Sequence, residues 1–455
     1  MVALARSRQL LVELALLASA PLLQLAILYF HWGAGLQRLF ALAALFGFVL
    51  ALGALRARLP TLFEQRGALL LALAAFVLIA LHVRLFVHDI QHGGECLTDM
   101  GRPSICAGEW LRRGMNPWAE CAEAQRRRRG RPKIVDSWDW CLAVDRCIDR
   151  KTGGTYKGWT HHGPGYDFMD GYKYGPLTAL VYLPFVHVWR ERGLYAVNFA
   201  FWLAQLALLW LLAREAFRAL TSARWRALIV LLLPLAFPSR QLFPKRIIED
   251  FGEKWELLAP EFDTFVLELT RRCAMDIIPV ALVLGATLLA MRGRARWAGV
   301  LLGLSLAAKS LPGLLLCVFL PGLRGVRAGA LAVSCALSTA LCYLPFFVWA
   351  PREMIANLVL FSALRPTNTS SIRAYLPANL EVWISALQLV SVLAMALYFY
   401  RRSRRDPAAL VQAMTLATIG FVALNKVVHG NYLLWVQPWL ALAVAGLPFT
   451  PRCSR

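Results

Sequence analysis

Residues 298–320 read AGVLLGLSLAAKSLPGLLLCVFL. The stretch is apolar throughout except around Lys309-Ser310-Leu311-Pro312, and it is long enough to cross a bilayer as a helix, which takes about 20 residues. A lysine followed by a proline at mid-depth is expensive in hydrocarbon unless it faces protein or a watery cavity. The stretch therefore predicts two short helices meeting at Lys309, beside a cavity that accepts the charge.

Working outward, comparable apolar runs lie at 9–32, 39–55, 68–86, 194–213, 227–237, 277–291, 328–350, 382–400, 408–424 and 432–448. Counting the broken run as two helices, the pattern predicts an all-α polytopic membrane protein with about twelve transmembrane helices. The composition agrees. Of 455 residues, 58% are hydrophobic and 17% charged, with a mean hydropathy of +0.53, whereas globular domains are roughly half apolar and a quarter charged. A net charge of +22 would point to nucleic acid in a soluble protein. Here the basic residues cluster between apolar runs, where they set orientation, and no nucleic-acid partner is expected.

The short basic loops at Arg6/Arg8, Arg56/Arg58/Arg66, 214–226, Arg292/Arg294/Arg296, Arg324/Arg327 and 401–405 fall on the cytoplasmic side by the positive-inside rule. That leaves 88–174, 239–275, 351–381 and 425–431 outside, and it places the protein in the cell (inner) membrane as a multi-pass chain. The run Arg126 to Arg129 breaks the rule, but loops beyond about 60 residues translocate largely regardless of charge. The proline-broken 176–189 fits the parity only as a re-entrant or interfacial helix. The first run, longer than a signal-peptide core and without a small-residue cleavage site, reads as a retained signal anchor. Three regions follow: N-terminal transmembrane helices at 1–88, an extracytoplasmic Cys/Trp-rich loop at 89–175, and a transmembrane helical core at 176–455.

Cys96, Cys106, Cys121, Cys141, Cys147 and Cys273 all fall on the oxidising side, so disulfides are expected there, although six cysteines allow fifteen connectivities. A zinc site using His161-His162 lacks CxxC or HxxxH spacing. No cofactor is expected, and metal dependence is left open. Polar residues concentrate in the external loops and the helix ends facing them: Asp89, Asp99, Tyr172, Tyr174, Asp276, Lys309, Arg365, Asn368, Lys426, His429 and Tyr432. Tryptophans at 110, 118, 138, 140, 159 and 189 suit either an interfacial belt or stacking on sugar faces.

Several of these residues lie in ordered motifs. Thr98-Asp99, Ala107-Gly108-Glu109-Trp110-Leu111 and Gly114-Met115-Asn116-Pro117-Trp118 resemble the first loop of glycosyltransferase family 87, in the GT-C superfamily. Tyr172-Lys173-Tyr174-Gly175-Pro176 is similar to the family's Tyr-x-Pro segment, and Asp276 heads a helix as the family's aspartate does. Ala307 to Pro312 resembles its Lys-x-x-Pro element, and Arg365 to Ser371 and His429 to Trp435 resemble two late motifs. The chain departs from the family in the length of 119–172 and in having two apolar runs ahead of the helix that leads into the first loop.

The resemblance implies a polyprenyl-phosphate-linked sugar donor, mannose-like, and a lipid or glycan acceptor. It also implies one catalytic carboxylate in the first loop. Inverting transfer needs a base for the acceptor hydroxyl, while the lipid phosphate leaves as an already acidic group and needs cations more than a general acid. Asp99 has the family spacing to Gly114-Met115-Asn116-Pro117, and Asp89 is the alternative nearer the membrane. For either carboxylate a solvated loop acid or helix cap is the plain alternative. Lys309, Arg365, His429 and Lys426 are candidate phosphate ligands. Asn116, Trp118, Tyr172, Tyr174, Asp276, Asn368 and Tyr432 are candidate substrate contacts. Two rivals remain open: a transporter or flippase of lipid-linked saccharides, and an oligosaccharide ligase using a pyrophosphate-linked glycan. A catalytic first-loop carboxylate separates the favoured reading from both.

Overall fold

A computed structural model describes residues within 72–91, 101–118, 172–217, 230–231, 275–320, 326–360, 373–403, 407–426 and 432–446. All regular structure among the described residues is helical. The chain divides into two compact units. One comprises Met1–His82, Leu209–Leu267 and Gln437–Arg455, and there Leu209, Leu212, Ala213 and Phe217 are buried. The other comprises Val83–Leu208 and Glu268–Val436 and carries the candidate site.

Helix α1 spans Gly101–Arg112, α2 Pro176–Trp189 and α3 Glu191–Ala216. After them come α4 (Ile277–Met291), α5 (Ala295–Ala308) and α6 (Ser310–Phe319). Helix α7 runs Ala328–Trp349, followed by the short α8 (Pro351–Ile355) and a π turn at Ala356–Leu360. The last three are α9 (Glu381–Ser403), α10 (Pro407–Ala423) and α11 (Leu433–Gly446). Among the described residues, two stretches are long and apolar enough to cross a membrane: 192–216 in α3 and Ala328–Trp349 in α7. At about 1.5 Å per residue the shorter spans on the order of 33 Å, the thickness of the hydrocarbon. The twelve spans expected from hydropathy include 9–32 and 39–55, which lie outside the described residues.

The interrupted run forms two helices, α5 and α6, with Lys309 extended between them (φ −155°, ψ 121°). Pro312 explains the break. It has no N–H to give to the carbonyl four residues earlier, so Ala308 lacks its helical partner. That carbonyl is met from elsewhere, by the backbone N–H of Gly175 at 3.1 Å and by Thr178 Oγ1 at 3.1 Å. Gly175 must be glycine for this approach, because a Cβ there would overlap the carbonyl of Ala307.

Helix α5 packs most extensively on α7 and also on α4, while α1 lies on α2 and α9 on α10. The α5–α7 contact is built from small residues. Gly299 and Gly303, one turn apart, press against the α7 backbone at Leu331 and Cys335. Ser338 and Thr339 donate across the interface to the carbonyls of Val300 and Gly303, both at 3.2 Å. In hydrocarbon, where apolar burial between helices has little driving force, close backbone approach and such hydrogen bonds hold helices together. Outward, α7 exposes Leu337, Leu341, Leu344 and Val348, and α9 exposes Val382, Trp383, Leu387, Val390 and Leu397. Contiguous apolar surface of this kind suits lipid rather than water.

The side chains of the six external cysteines lie outside the described residues. Cys335 and Cys342, in α7, are in no disulfide among the described residues.

Candidate active site

Three distant parts of the chain meet at Lys309. The Pro312 break turns its side chain out of the helical register, and the Gly175–Ala308 contact brings Tyr174 alongside. Asp276 sits in the N-cap position of α4 yet makes no cap bond. Instead its Oδ1 accepts the Lys309 ammonium at 2.6 Å and the indole N–H of Trp435 at 2.6 Å. Asp276 is fully buried and the Lys309 side chain is 21% exposed. A buried carboxylate is tolerated only when paired and hydrogen-bonded, and here both conditions are met on one oxygen.

The ammonium is also ringed by aromatics. Its Nζ lies 5.0 Å from the Trp435 ring centroid, 5.3 Å from Tyr432 and 6.0 Å from Tyr174. Tyr432 and Trp435 stack at 4.3 Å. Ring faces attract a cation at such distances, so the amine is held by electrostatics on several sides while the side chain as a whole stays partly exposed. Asp276 takes one of its three donor hydrogens. The arrangement is a pre-placed cation able to receive an anionic oxygen.

A second cluster adjoins it through ring contacts. Trp118 is fully buried, edge-on to Tyr172 at 5.5 Å and against Phe346 at 5.3 Å, and Tyr172 meets Tyr174 at 5.6 Å. The Asn116 side-chain oxygen accepts the Trp118 backbone N–H at 3.0 Å, closing the Asn-Pro-Trp turn. Asn116 Nδ2 and Trp118 Nε1 are buried donors with no hydrogen-bond partner among the described residues. Ser104 on α1 bonds the Tyr172 hydroxyl at 3.1 Å and contacts the sulfur of Met275, the neighbour of Asp276. A path of packed rings thus joins the Asn116–Trp118 turn to Lys309.

The structure therefore brings together Lys309, Asp276, Tyr174 and Tyr432, with Tyr172, Trp118 and Asn116 next to them. Lys426, six residues before Tyr432, has its ammonium paired with Glu381 at 3.3 Å. Asp99, Asp89, Arg365, Asn368 and His429 lie outside the described residues. Sequence reasoning missed Trp435 as a ligand of Asp276, and it missed Arg373, Glu381 and Gln388. Trp435 lies within a motif already noted, so the signal was there. Arg373 carried none, because a single arginine in an external stretch reads as an interfacial anchor.

No three His, Cys, Asp or Glu residues are grouped to hold a metal ion among the described residues. Residues 273–425 match the model of glycosyltransferase family 87. The matched stretch contains Asp276, Lys309 and Arg373. No curated protein matches the chain. The family is one of glycosyltransferases, which is the activity the match indicates, and together with the apolar helices it suggests a membrane protein.

Proposed function

From the match to glycosyltransferase family 87 over residues 273–425, we propose that this protein is an inverting hexosyltransferase. It moves one hexose, mannose in the reading favoured here, from a polyprenyl-phosphate carrier to an acceptor on the extracytoplasmic face of the inner membrane. The observation that carries this reading is the Lys309 ammonium, fixed at a helix break by Asp276 at 2.6 Å and by three aromatic rings.

The chemistry then follows. The acceptor hydroxyl attacks the anomeric carbon as the bond from that carbon to the phosphate oxygen breaks. The hydroxyl proton passes to a first-loop carboxylate, Asp99 by its motif spacing or Asp89 by its nearness to the membrane. The bonding pair leaves with polyprenyl phosphate, whose growing charge is stabilised by Lys309, with Arg365, Lys426 and His429 as further donors. Preorganisation matters here, because an ammonium already held in place needs little rearrangement as charge develops. Asp276 acts through Lys309 and Trp435, which it orients. The tyrosines 172, 174 and 432, with Asn116, Trp118 and Asn368, supply the walls and polar contacts for the sugar. A polyprenyl tail is too long for a small pocket, so it stays in the bilayer and passes the α5–α6 break, where irregular backbone already requires a protein-lined or watery surround.

Turnover of a panel of radiolabelled polyprenyl-phosphate sugars by the purified protein tests the reading, with mannose expected as the preferred sugar. Asp99→Asn should lower transfer roughly 10²–10⁴-fold while donor binding survives. Full activity in Asp99→Asn with none in Asp89→Asn moves the base to Asp89. Photo-crosslinking with a diazirine-tagged polyprenyl phosphate should label 298–320, and labelling confined to the first 88 residues would refute the placement of the donor.

A further inference from the structure

A second polar cluster, apart from Lys309, surrounds Arg373, whose side chain is buried. Its guanidinium forks three ways. Nε donates to the Leu424 carbonyl at 2.6 Å, Nη1 to Ser385 Oγ at 2.7 Å and Nη2 to Gln388 Oε1 at 2.9 Å. Gln388 passes the contact on, donating Nε2 to the Phe421 carbonyl at 2.8 Å, and Ser385 donates to the Glu381 carbonyl at 3.0 Å. The Glu381 carboxylate stands 3.3 Å from the Lys426 ammonium, two residues beyond Leu424. The contacts close a ring: Arg373, Ser385, Glu381, Lys426 and back along the chain to Leu424.

The physical logic begins at the end of α10. The last carbonyls of a helix have no intrahelical donor, and Phe421 and Leu424 stand there. Basic groups favour this end of a helix. A planar guanidinium can serve three acceptors at fixed angles, which an ammonium on a flexible stem cannot do. Ser385 and Gln388, three apart on α9, present one face to it. Arg373 thus fixes where α10 stops against α9. Lys426 feels this at both ends: its backbone leaves from the clamped Leu424, and its ammonium is held by Glu381, whose own carbonyl is held by Ser385. The Lys426 and Glu381 side chains are 27% and 42% exposed, and an ion pair that open to solvent is weak. A phosphate, the stronger and more highly charged acceptor, can take the ammonium over.

We propose that Arg373 is a positioning residue for the donor's phosphate, holding Lys426 ready for that anion through the Leu424 carbonyl and the Ser385–Glu381 contact. The proposal rests on the glycosyltransferase reading above and goes beyond it by naming the residue that places this cation. The test is a double-mutant cycle on the full-length protein in lipid nanodiscs, measuring equilibrium binding of polyprenyl-phosphate-mannose and the kinetics of transfer. Arg373→Lys and Lys426→Gln should each weaken donor binding roughly tenfold, the value of one charged hydrogen bond, and the double variant should bind no worse than the weaker single one. Arg373→Lys should raise KM for the donor far more than it lowers kcat. Leu410→Ala, a buried change elsewhere in α10 matched for its loss of Tm, should leave donor affinity near that of the parent. Effects that multiply in the double variant, or an equal loss of affinity in Leu410→Ala, would show that Arg373 is only structural and overturn the proposal. Normal binding by Lys426→Gln in a protein that still transfers the sugar overturns the proposal and leaves the glycosyltransferase reading standing. No binding or transfer of any polyprenyl-phosphate sugar by the parent overturns both.

Discussion

Lys309 and Arg373 are both cations set where a helix stops, and the protein uses them in opposite ways. Lys309 stands in the break between α5 and α6, its ammonium paired with one buried carboxylate and bordered by rings. Arg373 stands against the end of α10 with its guanidinium shared among two neutral side-chain oxygens and a carbonyl. A cation that gives three of its five N–H groups to neutral acceptors, with the Glu381 carboxylate near enough to act on it, has become part of the framework. A cation balanced by a carboxylate and partly open keeps hydrogens to offer an incoming anion. The difference follows from side-chain chemistry, since a rigid fork suits several fixed acceptors and a compact ammonium suits exchange between anions.

Five substitutions break or sharpen this contrast. The largest effect is expected for Asp276→Asn, which leaves the ammonium without its buried counter-charge. Removing one member of a buried pair costs about 3 kcal/mol or more, so thermal unfolding should shift down clearly. An unchanged Tm would mean that the pair contributes nothing to the Lys309 site. Next is Gly175→Ala, whose new methyl must displace the Ala307 carbonyl. Overpacking of this kind costs roughly 1–3 kcal/mol, and because Tyr174 is the neighbouring residue, donor affinity should fall with stability. A fall in stability alone would separate Tyr174 from the site.

Exchanging the two cations gives the third comparison. Arg373→Lys loses two of its three hydrogen bonds and should cost about 1–2 kcal/mol. Lys309→Arg keeps its pairing with Asp276 and should stay within about 1 kcal/mol of the parent in stability, yet bind donor more weakly, because the planar group alters the geometry offered to phosphate. The reverse pattern would invert the roles assigned to the two residues. The smallest effect belongs to Pro312→Ala. It restores an N–H that competes with Gly175 and Thr178 for the Ala308 carbonyl, and the expected change is about 0.5 kcal/mol. A Tm shift as large as that of Asp276→Asn would show that the proline, rather than the contacts across the break, sets the site.

Much of this was legible in the chain. The charge and proline inside 298–320 located the helix break, because mid-run Lys-x-x-Pro has few other readings in an apolar segment. Asp276, Tyr174 and Tyr432 were singled out by motif, and the structure gathers them around Lys309. Lys426 was grouped with Lys309 on charge alone, whereas its partner proved to be Glu381. Glu381 read only as the polar edge of an apolar run, and nothing local links it to a lysine after the next helix.

What the sequence determined by itself is therefore what acts over short range: helix length from apolar runs, and the break from a charge and a proline inside one of them. Tertiary structure alone decided the pairings. Asp276 meets Lys309 across 33 positions and Trp435 across 159, and Arg373 meets Leu424 across 51. Hydropathy and periodicity are properties of neighbours along the chain, so they report which face a residue occupies and not who faces it. A buried charge must find a partner, but which of several polar groups meets it depends on how the helices pack, and small-residue contacts such as those of Gly299 and Gly303 in α5 against α7 help set that packing.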